Sequence, residues 1–252
     1  MDAVARDITC GFSIVDLYRA RCDHAQLSVF VDAVHTALSA CTLNIRTLQC
    51  IHTPIGDVGL AQITDALLLC NRMLMMALFE AELTDLSAPA VARLITSLPL
   101  LTALEIDHNH ITDAGAAVIA DALPRGHLKS LYLQQNDIGD RGMLVLFSAA
   151  VKTNTSLELT ANPVTNGGIH ALARFIARMP TQSTATIRLT VTHETYEGNL
   201  AVEAAYKRAP DFRRVVTLYT PSLTWLPITK FLRRDGDNAI MHRVVRFMLR
   251  RQ

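Results

Sequence analysis

The chain has 252 residues, half of them hydrophobic, which at this length supplies a continuous buried core and excludes disorder as the default state. It contains no run of 18 uncharged apolar residues, so a simple helical membrane span is not expected. The formal charge of +1 is unevenly spread: residues 1–179 hold 12 Lys+Arg against 17 Asp+Glu, and residues 180–252 hold 12 against 6. A basic nucleic-acid footprint would have to come from the tail alone, and no nucleic acid is expected as a partner.

In chain order, the first ten residues, MDAVARDITC, alternate acid and base before any hydrophobic stretch, which predicts no secretory signal and a soluble, intracellular chain. SIVDL (13–17) followed by the apolar-periodic AQLSVFVDAVHTAL (25–38) reads as a strand and a helix, making residues 1–42 a degenerate first repeat. From residue 43 to 179 one pattern recurs five times. It is clearest at Leu101, Leu104, Ile106, Asn109, Ile111, Gly115, Ile119 and Leu123, and it returns at Leu128, Leu131, Leu133, Asn136, Ile138, Gly142 and Leu146 with Asn and Gly both 27 residues on. A further copy has Leu157, Leu159, Asn162, Val164, Gly168, Leu172 and Ile176. Upstream, Met73, Met76, Leu78, Leu83, Val91 and Ile95 keep the spacing with Ala81 and Ser87 in the Asn and Gly places. Ile45, Leu48, Cys50, Ile55, Gly59, Ile63 and Leu67 do the same, with Thr53 in the Asn place.

Each copy joins a period-2 stretch to an i, i+4 stretch: one strand, one turn, one helix. TIRLTV (186–191), NLAVEAAYKR (199–208) and RRVVTLYT (213–220) suggest two more strands around one helix, so residues 180–220 read as degenerate repeats. Residues 221–252 do not fit the pattern and predict a non-repeat helical cap or docking segment. Near each helical Gly stands Asp57, Asp85, Asp113, Asp140 or Asn166, which predicts helix caps and not catalytic acids. The five cysteines all lie in the first 70 residues with no CxxC pair, as expected of reduced, mostly buried thiols.

This pattern resembles leucine-rich repeats of the ribonuclease-inhibitor subclass, the repeat type of Ran GTPase-activating proteins, the carboxy-terminal region of tropomodulins and NOD-like receptors. The resemblance covers residues 43–179. It implies a right-handed α/β solenoid, a horseshoe arc with a parallel sheet on the concave face and helices on the convex face. It also implies an Asn ladder in the turns, of which Asn109, Asn136 and Asn162 are present.

If the second and third Leu positions point into the core, the residues between and just after them face outward. That rule selects Phe79, Glu80, Glu105, Asp107, His108, Tyr132, Gln134, Gln135, Glu158 and, at the periphery, Arg188 as a partner-binding face. With strands about 4.8 Å apart, Glu80, Glu105, Asp107 and Glu158 would share an acidic patch about 15 Å across, suited to a basic segment. A second surface is the basic amphipathic stretch NAIMHRVVRFMLRRQ, with Arg243, Arg246, Phe247, Arg250 and Arg251.

No nucleotide, zinc-protease or nucleophile-elbow motif is present. The run Asp107-His108-Asn109-His110 does not make a metal site, because its histidines fall on either side of a turn and His52 is two repeats away. No cofactor, metal or catalytic residue is expected. A mean hydropathy of +0.23 suggests a subunit of a larger hetero-complex. The expected function is a non-catalytic protein-interaction scaffold in a cytoskeletal, ciliary or organellar assembly. The resemblance leaves two alternatives, regulation of a small GTPase and capping of actin filaments.

Overall fold

A computed structural model describes residues 2–11, 13–17, 24–40, 44–176, 178, 187–190 and 216–219. The calls for a helix over 199–208 and a basic cap over 221–252, with Arg243, Arg246, Phe247, Arg250 and Arg251, lie outside the described residues.

Eight short strands form one sheet whose spatial order is the chain order, every neighbouring pair parallel. They are β1 (Ile14–Asp16), β2 (Thr47–Gln49), β3 (Met75–Ala77), β4 (Ala103–Glu105), β5 (Ser130–Tyr132), β6 (Ser156–Leu159), β7 (Ile187–Thr190) and β8 (Val216–Tyr219). A parallel pair needs a crossover between its strands, and helices supply it: α2 (His24–Ser39), α3 (Gly56–Leu67), α4 (Ala88–Ser97), α5 (Asp113–Ala122), α6 (Asp140–Thr153) and α7 (Asn166–Ile176). An additional helix, α1 (Asp2–Thr9), precedes β1 and buries Ile8. The six described strand–helix units are numbered here by their strands, so that β2–α3 is repeat 2 and β6–α7 is repeat 6.

The register is uniform. Val15, Leu48, Met76, Leu104, Leu131 and Leu157 pair in one row, and all are at most 1% exposed. A second inward row, Cys50, Leu78, Ile106, Leu133 and Leu159, is equally buried, as are the helix residues that meet it, Leu60, Ile63, Val91, Leu94, Ile119, Leu146, Phe147 and Leu172. One hydrophobic spine therefore runs between sheet and helices, and among the described residues no layer covers the opposite sheet face.

Two side-chain ladders tie the repeats together. In the turns, Asn109 accepts from the backbone N–H groups of Ala81 and Leu83 at 3.1 and 3.0 Å and donates to the Leu78 and Asp107 carbonyls at 2.7 and 3.0 Å. Asn136 does the same for Ile111 N–H and the Ile106 carbonyl, and Asn162 for Ile138 N–H and the Leu133 carbonyl.

The aspartates at the helix starts act differently from the expectation that they cap their own helices. Thr84, Thr112 and Thr165 do that, accepting from Leu86, Ala114 and Gly167 N–H. Each aspartate instead reaches one repeat forward. Asp85 accepts from Thr112 N–H, the Thr112 hydroxyl and Gly115 N–H at 2.8, 2.5 and 3.0 Å. Asp113 accepts from Gly139 and Gly142 N–H at 2.7 and 2.9 Å, and Asp140 from Thr165 N–H and its hydroxyl at 2.7 and 2.6 Å. Asp57 takes Thr84 N–H, the Thr84 hydroxyl and the Ser87 hydroxyl. A carboxylate so placed serves the free N–H groups and the positive end of the next helix. It also explains the glycines, since a Cβ on Gly115, Gly142 or Gly168 would stand 2.4, 2.6 or 2.3 Å from the incoming Asp oxygen.

Candidate protein-binding face

On the uncovered face, the first outward row of the register is Asp16, Gln49, Ala77, Glu105, Tyr132, Glu158, Arg188 and Thr217. Two residues further along, Ile51, Phe79, Asp107, Gln134 and Thr160 form a second. Bonds from His52 N–H to the Phe79 carbonyl, Glu80 N–H to Asp107, His108 N–H to Gln134 and Gln135 N–H to Thr160 keep that row aligned, at 2.8 to 3.2 Å. Beyond it His52, Glu80, His108, Gln135 and Ala161 all sit at φ between +49° and +59°, a left-handed residue at the same place in five consecutive repeats. None is Gly, the type that adopts this region freely, and only His52 and His108 are of a type enriched there. The residue-type pattern therefore did not reveal this rim.

The structure puts the expected acidic residues in two settings. Glu105, Asp107 and Glu158 belong to the sheet rows around Tyr132, and they are recessed: Asp107 and Glu158 are each 7% exposed. Ala77, outward by register, is also buried, so small side chains in these rows are closed over by their neighbours. Asp107 accepts from Gln134 N–H at 2.7 Å and from the Gln134 amide at 3.2 Å, and the Thr160 hydroxyl donates to the Gln134 side-chain oxygen at 2.9 Å, so Asp107, Gln134 and Thr160 form one fixed polar strip. Burial raises the Glu105 carboxyl above its usual range, and repulsion from Asp107 adds to this. Asp107 is raised as well, by burial first; the Gln134 hydrogen bonds and His108 oppose the shift while Glu158 adds to it. Both shifts reflect, before any charge repulsion, carboxylates drawn out of solvent.

Glu80 stands apart on the left-handed rim, 47% exposed, with His52 Nδ1 at 2.5 Å and His108 Nδ1 at 3.8 Å from its two oxygens. Phe79 packs edge-on to the His52 ring at 5.2 Å and tilted against His108 at 4.3 Å, so three rings and a carboxylate make one cluster beside the recess. Gln135 follows on the same rim, exposed. Arg188 pairs in register with Glu158.

The described thiols lie elsewhere. Cys50 and Cys70 are buried in the core, and burial pushes the Cys70 thiol up to about 12, far from the thiolate a nucleophile needs. No group of three His, Cys, Asp or Glu that could hold a metal is found among the described residues. No described helix is long and apolar enough to cross a membrane.

A leucine-rich-repeat family model matches residues 97–120 and 127–147, which are the two copies with Asn, Gly and every apolar position in place. The chain carries leucine-rich repeats. Over 90 residues the chain is 36% identical to nucleotide-binding oligomerization domain-containing protein 2 of Bos taurus, covering 35% of this chain and 9% of that one. FERM domain-containing protein C of Dictyostelium discoideum is 22% identical over 181 residues, 67% of this chain and 12% of the relative. The chain thus spans about a tenth of the length of these curated relatives. Among solved structures, the tropomodulin C-terminal domain of Caenorhabditis elegans aligns with a TM-score of 0.44 at 12% identity, over 73% of this chain and 95% of that domain. Actin-binding site 2 of leiomodin-1 aligns with a TM-score of 0.35 at 16% identity, over 84% of this chain and 91% of the other. Leucine-rich repeats are protein-interaction modules.

Proposed function

We propose that this leucine-rich-repeat protein is a non-catalytic docking scaffold whose uncovered sheet face receives a basic segment of a protein partner. One observation carries the reading. Among the described residues of β1 to β6, the outward rows and the rim hold Asp16, Glu80, Glu105, Asp107 and Glu158 and no Lys or Arg. Phe79, Tyr132, His108, Gln134 and Gln135 surround the carboxylates with flat or hydrogen-bonding surface, the composition that complements a cationic side chain and its aliphatic stem. The basic segment at 238–252, with Arg243, Arg246, Phe247, Arg250 and Arg251, is proposed as a second point of attachment in a hetero-complex.

Fluorescence anisotropy with labelled Arg-rich and Glu-rich peptides of equal length tests this. The basic peptide is expected to bind more tightly, to weaken with salt, and to lose at least fivefold in affinity to Glu105→Lys. Equal affinity for both peptides, or indifference to Glu105→Lys, refutes the face as chosen. Acceleration of single-turnover hydrolysis by any of a panel of GTPases would refute the non-catalytic reading.

A further inference from the structure

The junctions between successive repeats are not equally tied. A side chain in the turn crosses four of the five: the Thr53 hydroxyl donates to the Leu17 carbonyl, and Asn109, Asn136 and Asn162 bridge repeats 3–4, 4–5 and 5–6. Between repeats 2 and 3 the place is held by Ala81, which is fully buried and has nothing to donate or accept beyond its backbone.

The turn of repeat 2 has adjusted to that. Ile55 N–H, whose counterparts Leu83, Ile111 and Ile138 donate to an Asn of the following repeat, turns back on its own loop to the Thr53 carbonyl at 2.8 Å. His110 N–H to Leu83 and Asp137 N–H to Ile111 close the next two junctions at 2.8 and 2.9 Å; here the counterpart is a bond in the other direction, Gly56 N–H to Ala81, at 3.0 Å.

Three further features weaken the same place. Glu80 and Glu82 flank Ala81 at φ +49° and +57°, so this turn holds two left-handed non-Gly residues where the others hold one. Ile55, the residue before α3, offers its helix no side-chain cap. Its Thr64 hydroxyl faces the core with no hydrogen-bond partner among the described residues. The ties that do cross include the strand ladder, the apolar spine, the Gly56–Ala81 backbone bond, the Asp57 clamp, the exposed Arg93–Asp65 ion pair at 2.8 Å and the His52–Glu80 pair. That last pair is 33% and 47% exposed and of a kind that contributes little.

We infer that the junction between repeats 2 and 3 is a built-in opening point, where residues 2–70 come away from residues 73–176 by local unfolding while the Asn-tied repeats stay closed. Such an opening bares the inward edge of β3, Met76 and Leu78, otherwise fully buried, and gives the protein an apolar surface it does not display when closed.

Hydrogen exchange of the full chain, read by mass spectrometry, tests this. Peptides over 47–67 are expected to exchange at least tenfold faster than those over 131–147, all within 47–67 at a common rate. Ala81→Asn, which restores the missing rung, should slow exchange over 47–67 by roughly tenfold, the effect of one or two net hydrogen bonds, with 131–147 within twofold of the parent. Asn109→Ala copies the gap one junction along without asking the core to accept a new side chain, and should bring 75–97 into the fast set. A single rate across 47–67 and 131–147 in the parent, or an Asn109→Ala protein in which every peptide speeds up equally, overturns the inference.

Discussion

Replacing Gly142 by Ala separates helix propensity from the carboxylate ladder, because the two predict opposite signs. Gly142 is the third residue of α6, where Ala is favoured over Gly by about 1 kcal/mol on propensity alone. The added Cβ would stand 2.6 Å from Asp113 Oδ1, 2.7 Å from Ile138 Cγ2 and 3.0 Å from the Ala116 Cβ. The carboxylate would have to withdraw, and with it go the bonds from Gly139 and Gly142 N–H at 2.7 and 2.9 Å. Two hydrogen bonds to a charged group contribute roughly 3 kcal/mol or more together, so Gly142→Ala is expected to destabilise by about 2 kcal/mol net after the propensity gain. Urea unfolding followed by circular dichroism measures this. In an Asp113→Ala background the obstacle is gone, and the same Gly142→Ala change should cost far less or stabilise, a coupling that a double-mutant cycle isolates. A neutral or stabilising Gly142→Ala in the parent protein, or equal effects in both backgrounds, refutes the account of why these positions are glycine.

The remaining expectations concern charge and thiols. Burial works to raise the Asp57 carboxyl, but hydrogen bonds from Ser87 and Thr84 outweigh it and hold the group below its usual range. Its stabilisation is therefore complete above the unfolded carboxylate range, near pH 4, and is lost as pH falls through the lower folded value. Asp57→Asn should destabilise at pH 7, with the gap to the parent narrowing below pH 4 in urea titrations; a gap independent of pH counts against the clamp. Glu105 is raised and has the opposite sign: its cost to the fold is absent in acid and grows as pH rises through the folded value. Glu105→Gln is then expected to raise the melting temperature by a few degrees at pH 7 and not at pH 4, and equal shifts at both would refute the repulsion described. Iodoacetamide at pH 8 should label exposed Cys10 in the native protein and spare Cys50 and Cys70 until urea is added; native labelling of Cys70 would contradict its burial.

The strand–helix alternation, the spine and the Asn rungs were legible in the residues because each is a one-residue requirement repeated at fixed spacing: Leu104 and Leu131 fill equivalent holes, and Asn109 and Asn136 answer equivalent N–H groups. Spacing could not say which helix Asp113 serves. One strand-turn-helix unit places it equally well near its own first turn and near the next, and only the packed pair shows that Gly142 clears the path for it. The left-handed rim left little compositional mark, because Glu80, Gln135 and Ala161 are types without a preference for that conformation and only His52 and His108 are enriched in it. α1 was missed because DAVARDIT is short and has no counterpart in the later copies. On the proposed face, the sheet rule found Glu105, Asp107, Tyr132 and Glu158 as neighbours, but it gave no sign that Asp107 and Glu158 are recessed, since side-chain depth depends on what Tyr132 and Gln134 cover.

The two ladders run in opposite senses along the chain: an interior unit extends its carboxylate to the unit that follows and its carboxamide to the unit before. Neighbours are thus cross-checked twice, at the turn and at the helix start, and a unit inserted in reverse order or out of step would meet neither hand. Where a turn N–H has no carboxamide to meet, it can fold back on a carbonyl of its own loop, as Ile55 does on Thr53 and Val164 on Asn162. A terminus in a shortened or permuted version therefore needs only that one redirected bond at its turn, together with a cover for the bared apolar spine.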